Sequence, residues 1–368
     1  MKKDYKSKYK KIENNKTKME KARKILLIKS GAIGDVLMTT PLVRALRINF
    51  PKAEIHYYTG KWSAPVLEGN RNIDKIKTFD DNIIFRKKIL KLLKLRKEIM
   101  KEKYDVCFVL DWSYLAGMFV LSCRIPVRVG FDRKGEGIFH TTKVHYSDEK
   151  HDIKYYLDLA RAIGAKKEAD NYNMEIFISK KEKKKMEEIA RKIWGKTIGL
   201  VPGGAKNPGQ TLQAKRWAAD KYAELAKKIL SETNFNIILF GGVSDIEINK
   251  KIGKKIAKIS GRTFDFAGKL NLKETAALMK KCQIIVCNDS GPMHLASAVS
   301  TPVLSIFGPT NPKKLAPIGE NNLYLWKKAR GMAVYKNGKL SRGVHSLERL
   351  SSEEVFEKLM QLYNKIYK

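Results

Sequence analysis

Two stretches of this 368-residue chain place polar groups where a strand runs into a helix, and both hold residue types that can do chemistry. In KSGAIGDVLMTTP (29–41), Gly31 and Gly34 bracket a tight bend and Asp35 follows it. A carboxylate there can accept a proton from a bound hydroxyl. In IIVCNDSGPMHLASA (284–298), Ile284, Ile285 and Val286 suit a buried strand, Asp289 or Ser290 suits a helix N-cap, and Pro292 suits a first helical turn. A helix N-terminus carries roughly half a positive charge and leaves N–H groups unpaired, so a phosphate can dock beside Gly291, where no side chain covers the backbone. Each stretch also has a plainer reading. Asp35 after a glycine can be a simple helix cap, the second stretch an ordinary capped helix, and His294 a capping or core-edge residue.

The elements that must position these residues follow from the apolar pattern. After residues 1–23, a basic arm expected to be disordered, strands and helices alternate, as in parallel α/β architecture. Strands are expected at KILLIK (24–29), Ala53–Tyr58, Lys75–Phe79, Val106–Leu110 and Val127–Gly130. The turn holding Asp35 should open onto a helix that starts near Pro41 and runs through Leu46. A charged stretch at 171–189 reads as the passage between domains. The alternation then restarts with strands at Ile198–Val201, Asn236–Phe240, Phe264–Phe266, Gln283–Cys287 and Val303–Phe307, and helices at Ala218–Leu230, Asp245–Ile259, Leu272–Lys280 and Pro292–Val299. Two such halves would turn their strand C-terminal ends toward one cleft, where open α/β sheets take ligands. A last helix, 351–367, begins with a Ser351–Glu354 capping box and aligns Val355, Leu359, Leu362 and Ile366 on one docking face.

Composition narrows the function classes. The chain carries 74 Lys and Arg against 38 Asp and Glu, a formal charge of +36, which attracts nucleic acid, anionic lipid or phosphorylated substrates. The lysine clusters are not interleaved with stacking aromatics, so dedicated nucleic-acid binding is not expected, and much of the excess is solvated surface. No apolar run approaches the ~18 residues that span a bilayer. Nor do residues 1–24 hold an apolar signal-peptide core, so a cytoplasmic protein is expected. Cys107, Cys123, Cys282 and Cys287 show no C-x-x-C pairing, consistent with reduced thiols and no zinc site. The Walker pattern and G-x-G-x-x-G are both missing, as is a compact Asp-x-Asp pair for a divalent metal.

Taken together, KSGAIGDVLMTTPLVRAL (29–46), YDVCFVLD (104–111), RVGFD (128–132), GLVPGGA (199–205), KRW (215–217), FGGVSD (240–245), DFAGKLNLKETAALMKKC (265–282) and NDSGPMHLASAVSTPVLSIFGPTNP (288–312) resemble glycosyltransferase family nine, the heptosyltransferases of the lipopolysaccharide inner core. The resemblance runs from about Lys24 to Ile318. It implies an α/β protein of the GT-B fold, two Rossmann-like domains whose parallel sheets face a central cleft. Residues 24–175 form the acceptor domain, 176–345 the nucleotide-sugar domain, and 346–368 a C-terminal helix packing back on the N-terminal domain. It implies inversion at the sugar's anomeric carbon with no metal and no cofactor beyond the donor substrate, ADP-heptose first. By position, Asp35 matches the family's general base and Lys215 a lysine near the donor phosphates. Ser290 and Gly291 match diphosphate-binding positions, Asp289 an acidic position at the sugar, and Asp245 one at the ribose, with Glu247 competing for that role. Gly203 joins the donor side, while Gly34, Thr39 and Asp111 fall on the acceptor side. Thr39 reads as a cap first and a ligand second, and Asp111 serves equally well as a turn residue.

The chain departs from the family in a longer loop at 205–215 and in Ala218, where a proline commonly follows the tryptophan, which leaves the reach of Lys215 open. The expected partners are a nucleotide-sugar donor, a lipid-linked glycan acceptor and an anionic membrane surface, with the chain a peripheral monomer on the inner face of the inner membrane. In RKKILKLLKLRKEIMKEK (86–103), Ile89, Leu92, Leu93 and Met100, with Phe85 just before, form an apolar stripe on a basic helix. Packing on the N-domain sheet with a solvated basic face is the favoured reading, and lying on an anionic membrane is the other. Two rival functions stay open: a GT-B transferase with another donor, such as a nucleotide-activated hexosamine, and a non-catalytic nucleotide-sugar or nucleic-acid-binding protein.

Overall fold

A computed structural model describes residues 22–80, 89–147, 149–166, 171–193, 195–207, 210–328, 335–336, 339–340 and 346–368. The basic arm expected at residues 1–23 lies almost wholly outside them, as does Phe85. The chain divides into two compact units, residues 1–172 and 173–368.

In the first unit, six parallel strands run in the order β3-β2-β1-β4-β5-β6: β1 Lys24–Lys29, β2 Glu54–Gly60, β3 Lys75–Phe79, β4 Val106–Val109, β5 Val127–Asp132 and β6 Thr142–His145. β1 lies centrally between β2 and β4, pairing Ile28 with Tyr58 and Val109. Its residues 25–29 are buried, as continuous apolar runs in a covered parallel sheet should be. Helices α1 (Ile33–Leu37), α2 (Thr40–Asn49), α3 (Ile89–Lys101), α4 (Tyr114–Ser122) and α5 (Asp152–Arg161) cover the sheet. Asp35, expected in a bend, lies in the first turn of the short helix α1, before the longer helix that carries Pro41 in its first turn. The edge strand β6 was not foreseen. It alternates in burial, a weaker pattern than the continuous apolar runs.

Helix α3 buries a different face from the one expected. Leu95 and Ile99 enter the core, Leu92 and Met100 pack beside it, and Ile89 and Leu93 stay exposed. The selecting contacts are polar: Lys77 bonds Glu98 at 2.8 Å and Glu102 at 3.1 Å, fixing the rotation of the helix.

The second unit repeats the order as β9-β8-β7-β10-β11-β12: β7 Thr197–Val201, β8 Asn236–Leu239, β9 Thr263–Asp265, β10 Ile284–Asn288, β11 Val303–Phe307 and β12 Asn322–Trp326. Helices α6 (Lys180–Lys192), α7 (Ala219–Glu232), α8 (Ile246–Ile256), α9 (Leu272–Met279), α10 (Gly291–Ala298), α11 (Pro312–Leu315) and α12 (Ser352–Tyr367) surround it. Both units are Rossmann-like, so the chain is an α/β protein of the GT-B class. In the second unit, the capping box at the start of α12 forms as the sequence implies: the Ser351 hydroxyl accepts from the Glu354 N–H and the Glu354 carboxylate accepts from the Ser351 N–H. That helix was expected to pack on the N-terminal domain. Instead Val355, Leu359 and Leu362 sit in one core with Ile198, Trp217 and the α7 residues Tyr222 and Leu225. Two bonds fix it there: the Trp217 indole donates to the Leu350 carbonyl at 3.1 Å, and Lys196 Nζ bonds the Tyr363 hydroxyl at 2.7 Å. Among the described residues no helix is long and apolar enough to cross a membrane.

Candidate active site

At the C-terminal end of β1, the chain turns through Ser30 and Gly31 into α1. Gly31 has φ +120°, a left-handed conformation that side chains rarely adopt, and a Cβ built there would stand 3.3 Å from Asp35 Oδ2. The missing side chain lets the Asp35 carboxylate lie over the turn, where it is half-exposed. Lys29 Nζ is buried and bonds Asp111 Oδ1 at 2.8 Å, while Asp111 Oδ2 accepts from both the N–H and the hydroxyl of Ser30 at 2.8 Å. Burial alone would depress the Lys29 pKa, but the carboxylates of Asp111 and Asp35 outweigh it and raise the pKa above the usual lysine value. Lys29 is therefore a cation at neutral pH, in the field of the carboxylate proposed to take a proton.

The expected acceptor-side residues fall mainly on the frame of this turn. Asp111 uses both oxygens to hold the loop. Thr39 is fully buried; its hydroxyl bonds the Val36 carbonyl at 2.7 Å and the Tyr57 hydroxyl at 2.8 Å, so it braces the corner between α1 and α2. Gly34 is buried within α1. Lys29 itself escaped the sequence reading, although a lysine closing an apolar strand is the signal that could have found it.

In the second unit, β10 delivers Asn288, Asp289 and Ser290 to the start of α10. Asn288 is a hub. Its Oδ1 accepts from the Trp217 N–H at 3.0 Å and the Tyr222 hydroxyl at 3.2 Å, and its Nδ2 donates to the carbonyls of Pro202 at 3.0 Å and Gly203 at 3.2 Å. This draws the loop after β7 and the start of α7 onto α10. Gly204, with φ +80°, passes so close that a Cβ would stand 2.7 Å from Ser290 Oγ.

Ser290 occupies the N-cap position, yet its side chain makes no capping bond and its hydroxyl donates to the Asn288 carbonyl at 3.3 Å. Pro292 has no N–H and the Met293 N–H bonds the Ser290 carbonyl at 3.0 Å, so the first-turn donor that the helix leaves for a ligand is the Gly291 N–H. Lys215 Nζ stands 2.7 Å from Asp289 Oδ2, and the Thr310 hydroxyl donates to the same oxygen at 2.5 Å. Burial would raise the Asp289 pKa, but Lys215 and Thr310 hold it below the usual carboxylate value. His294 is buried and pushed down to about 4, mainly by burial with Lys215 adding to it and Asp289 opposing, so its imidazole is neutral at pH 7. Its Nδ1 makes no hydrogen bond among the described residues. Lys215, Asp289, Ser290, Gly291 and Gly203 are all brought to this one edge, joined by Thr310 and His294, which the sequence reading had missed or set aside.

Asp245, expected at the ribose, is tied into the loop. It is buried, accepts from the Gly242 N–H at 3.0 Å and pairs with Arg216 Nη2 at 3.3 Å, and a Cβ on Gly203 would strike its carboxyl carbon at 2.2 Å. Arg216 also donates from Nε to the Gly204 carbonyl at 2.9 Å. The pair braces the loop, and the solvent-accessible carboxylate nearby is that of Glu247. Glu247 lines a cavity of about 400 Å³ with Arg216, Trp217 and Lys251; none of Lys215, Asp289 or Ser290 lines it, so this cavity is not the open edge of α10.

Comparison with known proteins identifies the family. Glycosyltransferase family 9 (heptosyltransferase) matches residues 92–344. The lipooligosaccharide heptosyltransferase 2 of Haemophilus ducreyi is 27% identical over 355 residues, covering 92% of this chain and 99% of the relative. The lipopolysaccharide heptosyltransferase 2 of Salmonella typhimurium is 26% identical over 353 residues, covering 92% and 98%. Among solved structures, E. coli ADP-heptose lps heptosyltransferase II superposes with a TM-score of 0.73 at 24% identity, covering 94% of this chain and all of that one. A family 9 glycosyl transferase from Veillonella parvula gives 0.77 at 22%, covering 93% and 98%. With more than two thirds of its length matched by the family, the chain belongs to glycosyltransferase family 9, the heptosyltransferases.

Proposed function

We propose that this enzyme is an inverting heptosyltransferase that moves a heptose from a nucleoside-diphosphate donor, ADP-heptose first, onto a lipopolysaccharide core-type acceptor. The observation that carries the reading is the open N-terminus of α10, flanked by the Lys215–Asp289 pair. A leaving diphosphate develops negative charge as the glycosidic bond breaks. Backbone N–H groups at Ser290 and Gly291 together with Lys215 can meet that charge without reorganising. The donor identity is supported by the E. coli fold neighbour, an ADP-heptose lps heptosyltransferase, and by relatives named for lipopolysaccharide or lipooligosaccharide heptosyl transfer.

In the first unit, Asp35 accepts the proton of the acceptor hydroxyl as its oxygen bonds the anomeric carbon. The bond from that carbon to the diphosphate breaks on the opposite face, and the electron pair leaves on phosphate. A single displacement inverts the centre. Lys215 and the helix terminus supply the positive charge, so no metal is assigned to the step. The enzyme acts as a monomer in the cytoplasm, peripheral to the inner membrane, where a lipid-linked acceptor is made.

Replacing Asp35 with Asn should lower transfer by about 100- to 10,000-fold while leaving donor affinity nearly unchanged. Thermal-shift titration with ADP-heptose and a transfer assay measure the two separately. Undiminished transfer by the variant would overturn the base assignment, and an absence of stabilisation by ADP-heptose alongside a shift with another nucleotide sugar would overturn the donor.

A further inference from the structure

Helix α4 carries more apolar surface than its unit buries. Its sequence, YLAGMFVLS, has no charged residue and is apolar on every face. Helices of that kind are normally enclosed on all sides or set in lipid. Yet only Ala116, Gly117 and Val120 are buried. Tyr114, Leu115, Met118 and Leu121, at one-turn spacing along a single stripe, are 48%, 52%, 50% and 42% exposed.

The neighbouring helix also exposes apolar side chains. α3 shares a core with α4 through Leu95, Ile99, Ala116 and Val120, and Arg96 Nε donates to the Ser122 carbonyl at 2.9 Å. At its start Ile89, Leu90 and Leu93 are 67%, 83% and 52% exposed. Single exposed apolar side chains are ordinary, but two adjoining helices that both present them mark a docking surface. Lys94 and Lys97 on α3 and Arg124 just after α4 are exposed on the same two elements.

We propose that this surface rests on an anionic phospholipid bilayer, with Leu115, Met118 and Leu121 set among the upper acyl chains and the cations against lipid headgroups. A second copy of the chain fits worse, because pairing two such faces would oppose cations of a molecule already at +36. The proposal rests on the peripheral-membrane reading above and assigns it to particular residues, separate from the arm at 1–23.

The test is flotation of the full chain at low salt with vesicles of phosphatidylcholine alone or with about a third phosphatidylglycerol. Wild type should float with the anionic vesicles. The triple variant Leu115→Ser, Met118→Ser, Leu121→Ser should lose about tenfold or more in partitioning, with its thermal midpoint and its transfer to a water-soluble acceptor fragment retained. If wild type does not float, the membrane reading itself fails. If wild type floats and the triple variant floats equally well, this surface is overturned and binding belongs elsewhere on the chain. A triple variant that breaks up a dimer in light scattering, with vesicle binding unchanged, also overturns it. A second measurement covers a variant that misfolds: the four native cysteines are buried, so a Leu115→Cys protein can be labelled with a polarity-sensitive dye. Its emission should shift to the blue on anionic vesicles, and no shift overturns the proposal.

Discussion

The donor edge holds its charge in a preset state. Lys215 is positioned by Asp289, whose carboxylate is held ionised by Lys215 and by the Thr310 hydroxyl, and His294 beside them is neutral. A neutral imidazole cannot help bind diphosphate as a cation, so in the proposed mechanism that load falls to Lys215 and the helix terminus. The pH dependence has a definite sign. A histidine whose folded pKa is about 4, against 6.5 when unfolded, binds its proton more readily in the unfolded chain. Its contribution to stability is whole above pH 6.5 and is lost as pH falls toward 4, on the order of 3 kcal/mol. His140 in the first unit is likewise pushed down to about 4, mainly by burial, and adds in the same window. The carboxylates of Glu102 and Glu136, both held at about 2, are lost only lower, between pH 4.5 and 2. We expect urea-unfolding stability to fall between pH 6.5 and 4, and the fall to be smaller in His294→Gln. Imidazole NMR of the donor-free protein should show His294 unprotonated at pH 6; a proton bound there would refute the assignment. Asp245→Asn should act differently, costing roughly 1–3 kcal/mol of stability by loosening the Arg216 brace, with any loss of donor affinity following from the displaced loop.

Among the elements, the two strand-to-helix junctions are where sequence and structure meet most directly. Gly31 and Gly204 are needed for conformation and for close approach: one lets Asp35 lie over its turn, the other lets the loop after β7 touch Ser290. Gly204→Ala should therefore cost about 1–3 kcal/mol in backbone strain and displace Ser290 from the start of α10. Weaker stabilisation by ADP-heptose, read as a thermal shift, is the expected result, and unchanged affinity would show that Ser290 does not depend on that contact. The interior strands were legible because a parallel sheet covered on both faces demands continuous apolar runs, as in KILLIK and in IIVC before Asn288. The edge strands β6 and β12 were not, since β6 alternates in burial and β12 is only half-buried. For α12 the apolar stripe was plain, but a stripe does not name the surface it docks on. Trp217 and Tyr363 settle that, and neither pairing is visible at sequence separations of more than a hundred residues. The same limit hid Lys29, Thr310 and the pairing of Asp245 with Arg216: these contacts come from partners that only the fold supplies.

For the whole molecule the governing quantity is charge. With 74 cations against 38 anions, ion pairs such as Lys250–Glu247 and Lys251–Asp220 can neutralise at most the anions present and leave an excess of 36 positive charges. Exposed pairs of this kind are each worth about 0–1 kcal/mol, and salt weakens them. Salt also weakens repulsion among the excess cations, and that effect extends over the whole surface. Raising ionic strength from about 0.01 to 0.15 M shortens the screening length from about 30 to 8 Å. Because the unpaired charges equal nearly half of all the cations, relief of repulsion should outweigh loss of pairs, and the thermal midpoint should rise with salt. Binding to anionic vesicles and to the diphosphate donor should move the opposite way, since both draw on the same field. Measuring the midpoint, vesicle partitioning and ADP affinity across one sodium chloride series tests the idea as a whole. A midpoint that falls as salt is added would mean that the ion pairs, and not the surplus lysines, dominate the energetics of this fold. The +36 charge would then have to be explained by its ligands alone.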